Sequence, residues 1–168
     1  MIIDNHYDLG WYYRENKSDS QPRYYAAYGS NLNLFQMEQR CPTARVAGSD
    51  ILTGWRLRFR GRTGRGVATI ERAEGGTVPL LIFMVQPEDE ISLDRYEGFP
   101  RLYRKEEVDV YVDGKRVTAF IYIMNEDRHP YEQPNEHYFR TVFIGYLMNG
   151  FDPTFLETAY VNNIEVCE

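Results

Sequence analysis

Tyr24-Tyr25-Ala26-Ala27-Tyr28-Gly29-Ser30-Asn31-Leu32 packs two kinds of local structure into one short run. Residues that tolerate an extended backbone lead into a turn that no ordinary strand needs. Gly29 is expected to take a positive φ at no steric cost, and Ser30 and Asn31 can hydrogen-bond their own backbone. Asn33 then caps an apolar-periodic segment, Leu34 to Arg40, which Pro42 closes. The reading is strand, tight polar turn, helix. Backbone N–H groups left unpaired at such a helix start can hold a carboxylate or an oxyanion. Taken alone, these residues are explained better by an ordinary strand-to-helix connection, so a second anchor is needed.

Upstream, residues 1–22 read as an N-terminal extension whose aromatic patch, Trp11-Tyr12-Tyr13, docks on the body. Downstream, Ala47 to Arg60 alternates Leu57 and Phe59 with Arg56, Arg58 and Arg60, a strand with one apolar and one basic face. Gly61 to Gly66 is a flexible turn into Val67-Ala68-Thr69-Ile70, and no Gly-Lys-Ser/Thr closes it as a phosphate loop would. Glu74-Gly75-Gly76 turns the chain again. Pro79 to Val85 is apolar throughout, a central buried strand with the proline at its start. Pro87, the acids behind it and Gly98 at the C′ position mark a short helix. Arg104 to Val112 and Lys115 to Met124 flank Asp113-Gly114 as a hairpin. A polar loop, Asn125 to Glu136, precedes helical spacing from His137 to Leu147. The body is then 23–150, with a tail, 151–168, packed on it and able to add a helical turn. Strands dominate, and the expected fold is α+β with a closed or nearly closed sheet.

The 168-residue chain suffices for one buried core. Fourteen Tyr and nine Phe suit β-rich structure and a cleft with aromatic walls. A net charge of −6 argues against broad phosphate-backbone binding, and the arginines from 56 to 65 read as a solvated strand face. No nucleic-acid partner is expected. Cys41 and Cys167 have no metal-ligand spacing, there is no membrane-length apolar run, and the first residues lack the basic-then-apolar order expected of a signal peptide. These features predict a soluble, cytoplasmic protein without a membrane partner.

The second anchor is Glu97, at the end of the short helix. Together Tyr28-Gly29-Ser30-Asn31-Leu32 and Leu93-Asp94-Arg95-Tyr96-Glu97-Gly98 resemble the two signature stretches of the γ-glutamylcyclotransferase, or AIG2-like, family. Arg40-Cys41-Pro42, Gly54-Trp55-Arg56-Leu57, Gly66 to Ile70, Leu102-Tyr103-Arg104 and the late Pro134 with Tyr138 fit the same resemblance, which spans roughly Arg23 to Gly150.

The resemblance implies a small twisted, mixed β-barrel-like sheet with flanking helices, and an enzyme that performs an intramolecular acyl transfer. The α-amine of a γ-glutamyl amide attacks its own γ-carbonyl, releasing 5-oxoproline and a free amine. Such chemistry needs a base for the amine proton and preorganised donors for the oxyanion. Ring closure is intramolecular, so folding the substrate is the main task. No cofactor, metal or covalent nucleophile is implied. By resemblance, Glu97 is the general base, and Tyr28, Gly29, Ser30, Asn31 and Leu32 form the loop that binds the glutamyl moiety. Tyr138 matches a family tyrosine, which offers its hydroxyl as a cleft group, although an aromatic on a buried helix face explains it equally well. Ser30 is a poor nucleophile, since His6, His129 and His137 have no motif linking them to it. Pro79-Leu80 departs from the small pair common in relatives and is expected to reshape the cleft wall. The rival reading is a non-catalytic AIG2-like ligand-binding or interaction module.

Overall fold

A computed structural model of the chain describes residues 21–167. Its elements, in chain order, are β1 (Arg23–Ala27), a 3₁₀ turn (Ser30–Leu32), α1 (Leu34–Arg40), β2 (Arg45–Arg62), β3 (Arg65–Val85), α2 (Pro87–Glu97), β4 (Tyr103–Val112), β5 (Lys115–Met124), α3 (Glu136–Met148) and α4 (Thr154–Cys167). The strands form one mixed sheet in the order β2-β3-β1-β5-β4. β1 runs parallel to β5 and antiparallel to β3, and the two long hairpins β2/β3 and β4/β5 flank it. The sheet is not closed by a backbone ladder. Its edges nevertheless approach each other, because Asp50 on β2 accepts the Tyr111 N–H of β4 at 2.8 Å.

Local sequence accounts for the element ends. Asn33 Oδ1 accepts the Gln36 N–H and starts α1, and Asn135 Oδ1 does the same for Tyr138 N at α3. Gly98 ends α2 in the left-handed conformation, and Asp113 and Gly114 both take positive φ, the demand of a two-residue hairpin turn. β1 is the shortest strand but lies at the centre. Tyr25 stacks on Phe120 at 5.2 Å and on Phe83 at 6.1 Å, tying both hairpins to it.

Five expectations are revised. Glu74-Gly75-Gly76 does not reverse the chain; it is a bulge in a continuous β3, opposite a register shift between Thr53 and Trp55. Pro79 stands inside β3, opposite Ile51, where β1 has already ended at Leu81, so its missing N–H breaks no ladder on that side. The tail forms a 14-residue helix rather than one further turn. Arg58 does not face solvent: it is 5% exposed, beneath α4, with Nε on Glu71 and Nη1 on the Asn162 carbonyl. Gly29 has φ −119°, not a positive value. The docking proposed for Trp11-Tyr12-Tyr13 lies outside the described residues. Among the described residues no helix is long and apolar enough to cross a membrane.

Candidate active site

The turn after β1 is held from beneath by α3. Asn33 Nδ2 donates to the Thr141 carbonyl, and Asn149 Nδ2 donates to the Leu32 carbonyl at 2.8 Å. Gly145 makes this packing possible: a Cβ there would lie 2.7 Å from Asn33 N and from two atoms of Leu32. Gly29 is favoured by close approach rather than handedness, since its Cβ would press on Ala68 Cβ at 3.1 Å and touch Tyr138 Oη at 3.5 Å. Within the turn, the Leu32 and Asn33 amides bond to the Gly29 and Ser30 carbonyls. The amides of Ser30 and Asn31, first in the turn, have no intrahelical acceptor.

Glu97 reaches this turn from the last position of α2. That helix is fixed by buried charge: Glu90 pairs with Arg23 at 2.8 Å and with Lys105 at 2.6 Å, and fully buried Asp94 pairs with Lys105 at 2.8 Å. Tyr122 also donates its hydroxyl to Asp94. Asn31 is the link between the anchors. Its Nδ2 donates to Tyr25 Oη at 2.9 Å and to Glu97 Oε1 at 3.3 Å, while its Oδ1 accepts from Arg40 Nη1 at 2.7 Å. Arg40 in turn stacks on the Tyr96 ring, 3.6 Å from its centre. Burial raises the Glu97 carboxyl from 4.5 to about 7; Arg40 opposes the rise and Asp94 adds to it.

A cavity of about 180 Å³ opens between the turn and Glu97. Tyr28, Gly29, Ser30, Asn31, Glu97 and Tyr138 all line it, so six of the seven residues singled out from the sequence meet at one place. Leu32 does not; it is fully buried beneath the turn, against Gly145. Pro79 and Leu80 lie elsewhere in the fold and do not shape this wall. Ser30 Oγ is paired with Tyr96 Oη at 2.9 Å, and neither His129 nor His137 lines the cavity. Tyr25, Tyr96, Tyr103 and Tyr122 also line it; the first three stand in stretches quoted above without a site role, and only the surplus of tyrosine hinted at Tyr122. Burial, reinforced by the charge of Glu97, holds the phenols of Tyr25, Tyr28 and Tyr103 well above their ordinary range, so they remain neutral hydrogen-bonding groups. Tyr138 accepts the Ala68 N–H at 2.9 Å, and burial raises its phenol as well. Among the described residues, no group of His, Cys, Asp and Glu side chains is placed to hold a metal ion.

The family model described as "Gamma-glutamyl cyclotransferase, AIG2-like" matches residues 25–140, which takes in both anchors. The chain belongs to the AIG2-like γ-glutamyl cyclotransferase family. Several solved structures share the architecture. One, a γ-glutamyl cyclotransferase, superposes with a TM-score of 0.73 at 26% identity, over 83% of this chain and 86% of its own. An uncharacterized protein from Homo sapiens gives 0.72 at 27% identity, over 82% and 86%. YkqA from Bacillus subtilis gives 0.74 at 22% identity, over 92% of this chain and 59% of its own, a likeness of fold. No match is found among curated proteins.

Proposed function

We propose that the protein converts a γ-glutamyl amide into 5-oxoproline and a free amine, with Glu97 as general base. One observation carries this reading. Glu97, its carboxyl raised to about 7, shares a tyrosine-walled cavity with Ser30 and Asn31, whose amides open the turn without an intrahelical acceptor. A carboxylate of ordinary acidity would be a weak base toward the amine nitrogen, which becomes acidic as it bonds to the γ-carbon. One that titrates near neutrality is present in base form and still holds a proton well.

The substrate lies with its glutamyl part in the cavity, folded so that its α-amine faces its γ-carbonyl. Glu97 takes a proton from the α-amine as the amine nitrogen bonds to the γ-carbon. The Ser30 and Asn31 amides donate to the oxyanion that forms. Glu97 then returns the proton to the departing nitrogen, the original C–N bond breaks, and both products leave. Atoms balance without water. Asn31, clamped by Arg40 and Tyr25, keeps the carboxylate aimed at the cavity. Ser30 has no base beside it and serves through its backbone and its bond to Tyr96.

The test is incubation with a panel of γ-glutamyl amino acids and amines, following 5-oxoproline and free amine together. Equal amounts of both, and no glutamyl adduct on the protein by mass spectrometry, are expected. Glutamate in place of 5-oxoproline, or a stable adduct on Ser30, contradicts direct cyclisation.

A further inference from the structure

A second cavity, of about 430 Å³, lies between β2, the Gly75-Gly76 bulge of β3 and helix α4. Its wall shares no residue with the cavity at Glu97. The bulge forms its strand wall: Gly75 has φ +72°, and a Cβ on Gly76 would lie 2.3 Å from the Trp55 carbonyl oxygen, so only glycine lets the bulged strand pass this close to β2.

Two features of the wall point to a ligand. Tyr146 is fully buried, yet its hydroxyl has no hydrogen-bond partner among the described residues. Buried hydroxyls are otherwise satisfied almost without exception, and this one belongs to a residue that lines the cavity. Separately, Arg56, Arg58 and Arg60 converge on the single carboxylate of Glu71, at 2.6, 3.1 and 3.8 Å. Arg56 and Arg58 line the cavity, and Arg60, outside it, takes up part of the Glu71 charge, so Glu71 does not fully neutralise the two wall guanidinium groups. Arg58 is almost wholly buried at the wall and spends Nε on Glu71 and Nη1 on the Asn162 carbonyl, while Nη2 takes no acceptor among the described residues. Asp152, the acid on the wall, already caps the start of α4 by accepting the Thr154 N–H at 3.0 Å. Leu57, Pro79 and Phe155 supply apolar surface between these polar groups.

We infer that this cavity binds a small organic carboxylate, its oxygens taking hydrogen bonds from the Tyr146 hydroxyl and from the spare N–H groups of Arg56 and Arg58. The guanidinium excess selects the anion, the hydroxyl finds its missing partner, and the apolar wall receives a short carbon chain.

The experiment is an NMR titration of the full ¹⁵N-labelled chain with succinate, with succinamide as the neutral control and inorganic phosphate as a second anion. Succinate is expected to give saturable shifts at Thr77, Tyr146 and Thr158, and succinamide none. Tyr146→Phe should fold, melt higher than wild type without ligand, and bind succinate about tenfold more weakly, the loss of one charge-assisted hydrogen bond. Arg56→Gln, altered at the half-exposed rim, should weaken binding by a similar factor. The inference is overturned by any of four results: no saturable shift, shifts confined to Ser30, Asn31 and Glu97, undiminished binding by Tyr146→Phe, or binding of phosphate but not succinate. Because the readout is binding at residues remote from Glu97, failure here leaves the cyclotransferase reading untouched, and the converse also holds.

Discussion

Asn31→Asp is the most searching change at the candidate site, because it alters charge while hardly altering shape. The Asn31 Oδ1 that accepts from Arg40 at 2.7 Å is kept as a carboxylate oxygen. The Nδ2 that donates to Glu97 Oε1 at 3.3 Å becomes a second acceptor facing the first. Two charges at that distance repel by about 5 kcal/mol at an effective dielectric of about 20, equivalent to roughly three to four pH units at about 1.4 kcal/mol each. Arg40 offsets part of this, and one proton shared between the two carboxyls relieves most of the rest, as in other close dyads. The acidic limb of kcat/KM should still move alkaline by roughly one pH unit or more. A ¹³C-carboxyl NMR titration of labelled glutamate would follow Glu97 itself, without reliance on turnover. A Glu97 midpoint and an acidic limb both unchanged in Asn31→Asp would refute the proposed contact.

Glu97 should also cost the native state stability, because its folded pKa, about 7, lies above the ordinary 4.5. The unfolded chain releases that proton more readily, so stability falls as pH rises through 4.5 to 7. Glu97→Gln should match wild type in urea unfolding below this window and exceed it by about 1–3 kcal/mol above it; equal midpoints above it would show that the carboxyl is not desolvated. At Gly29, where an added Cβ would press on Ala68 at 3.1 Å, Gly29→Ala should lower kcat/KM and Gly29→Val lower it further, measured beside circular dichroism to confirm folding. On β2, Arg58→Ala should destabilise by about 2 kcal/mol or more, since it strips a buried partner from Glu71 and from the Asn162 carbonyl. Exposed Arg62→Ala should stay within about 0.5 kcal/mol of wild type in the same denaturation assay.

What could be read in advance was whatever short-range chemistry controls. Asn33 and Gly98 cap their helices because capping depends on the residue and its immediate neighbours, and Asp113-Gly114 forms its turn for the same reason. The convergence of Glu97 on the Tyr28–Asn31 turn came from the paired motifs rather than from periodicity. Gly29 shows the limit of local reasoning: its φ is negative, and a Cβ there would be crowded by Ala68, some forty residues away. Gly75-Gly76 punctuates a strand as it would a turn, and only the facing shift at Thr53 makes it a bulge. Alternation assigned Arg58 to the non-core face correctly but could not reveal that α4 covers that face. Helix α4 itself was hidden because Asn163, a buried polar residue, holds it in place by accepting the Phe59 N–H. Arg40 stood in a stretch that fits the family resemblance, but its role, clamping Asn31, exists only once α1 packs beside α2.

The central claim is that the Glu97 carboxylate moves the proton in a direct cyclisation. Gln at this position keeps the size of the side chain and an oxygen for Asn31 Nδ2, but it cannot take a proton. The direct measurement is the single-turnover rate of 5-oxoproline formation by wild type and Glu97→Gln on a γ-glutamyl substrate that wild type turns over, at saturating concentration and neutral pH. A loss of about 10²-fold or more is expected, with substrate affinity largely kept. Formation of 5-oxoproline by Glu97→Gln at the wild-type rate would contradict it.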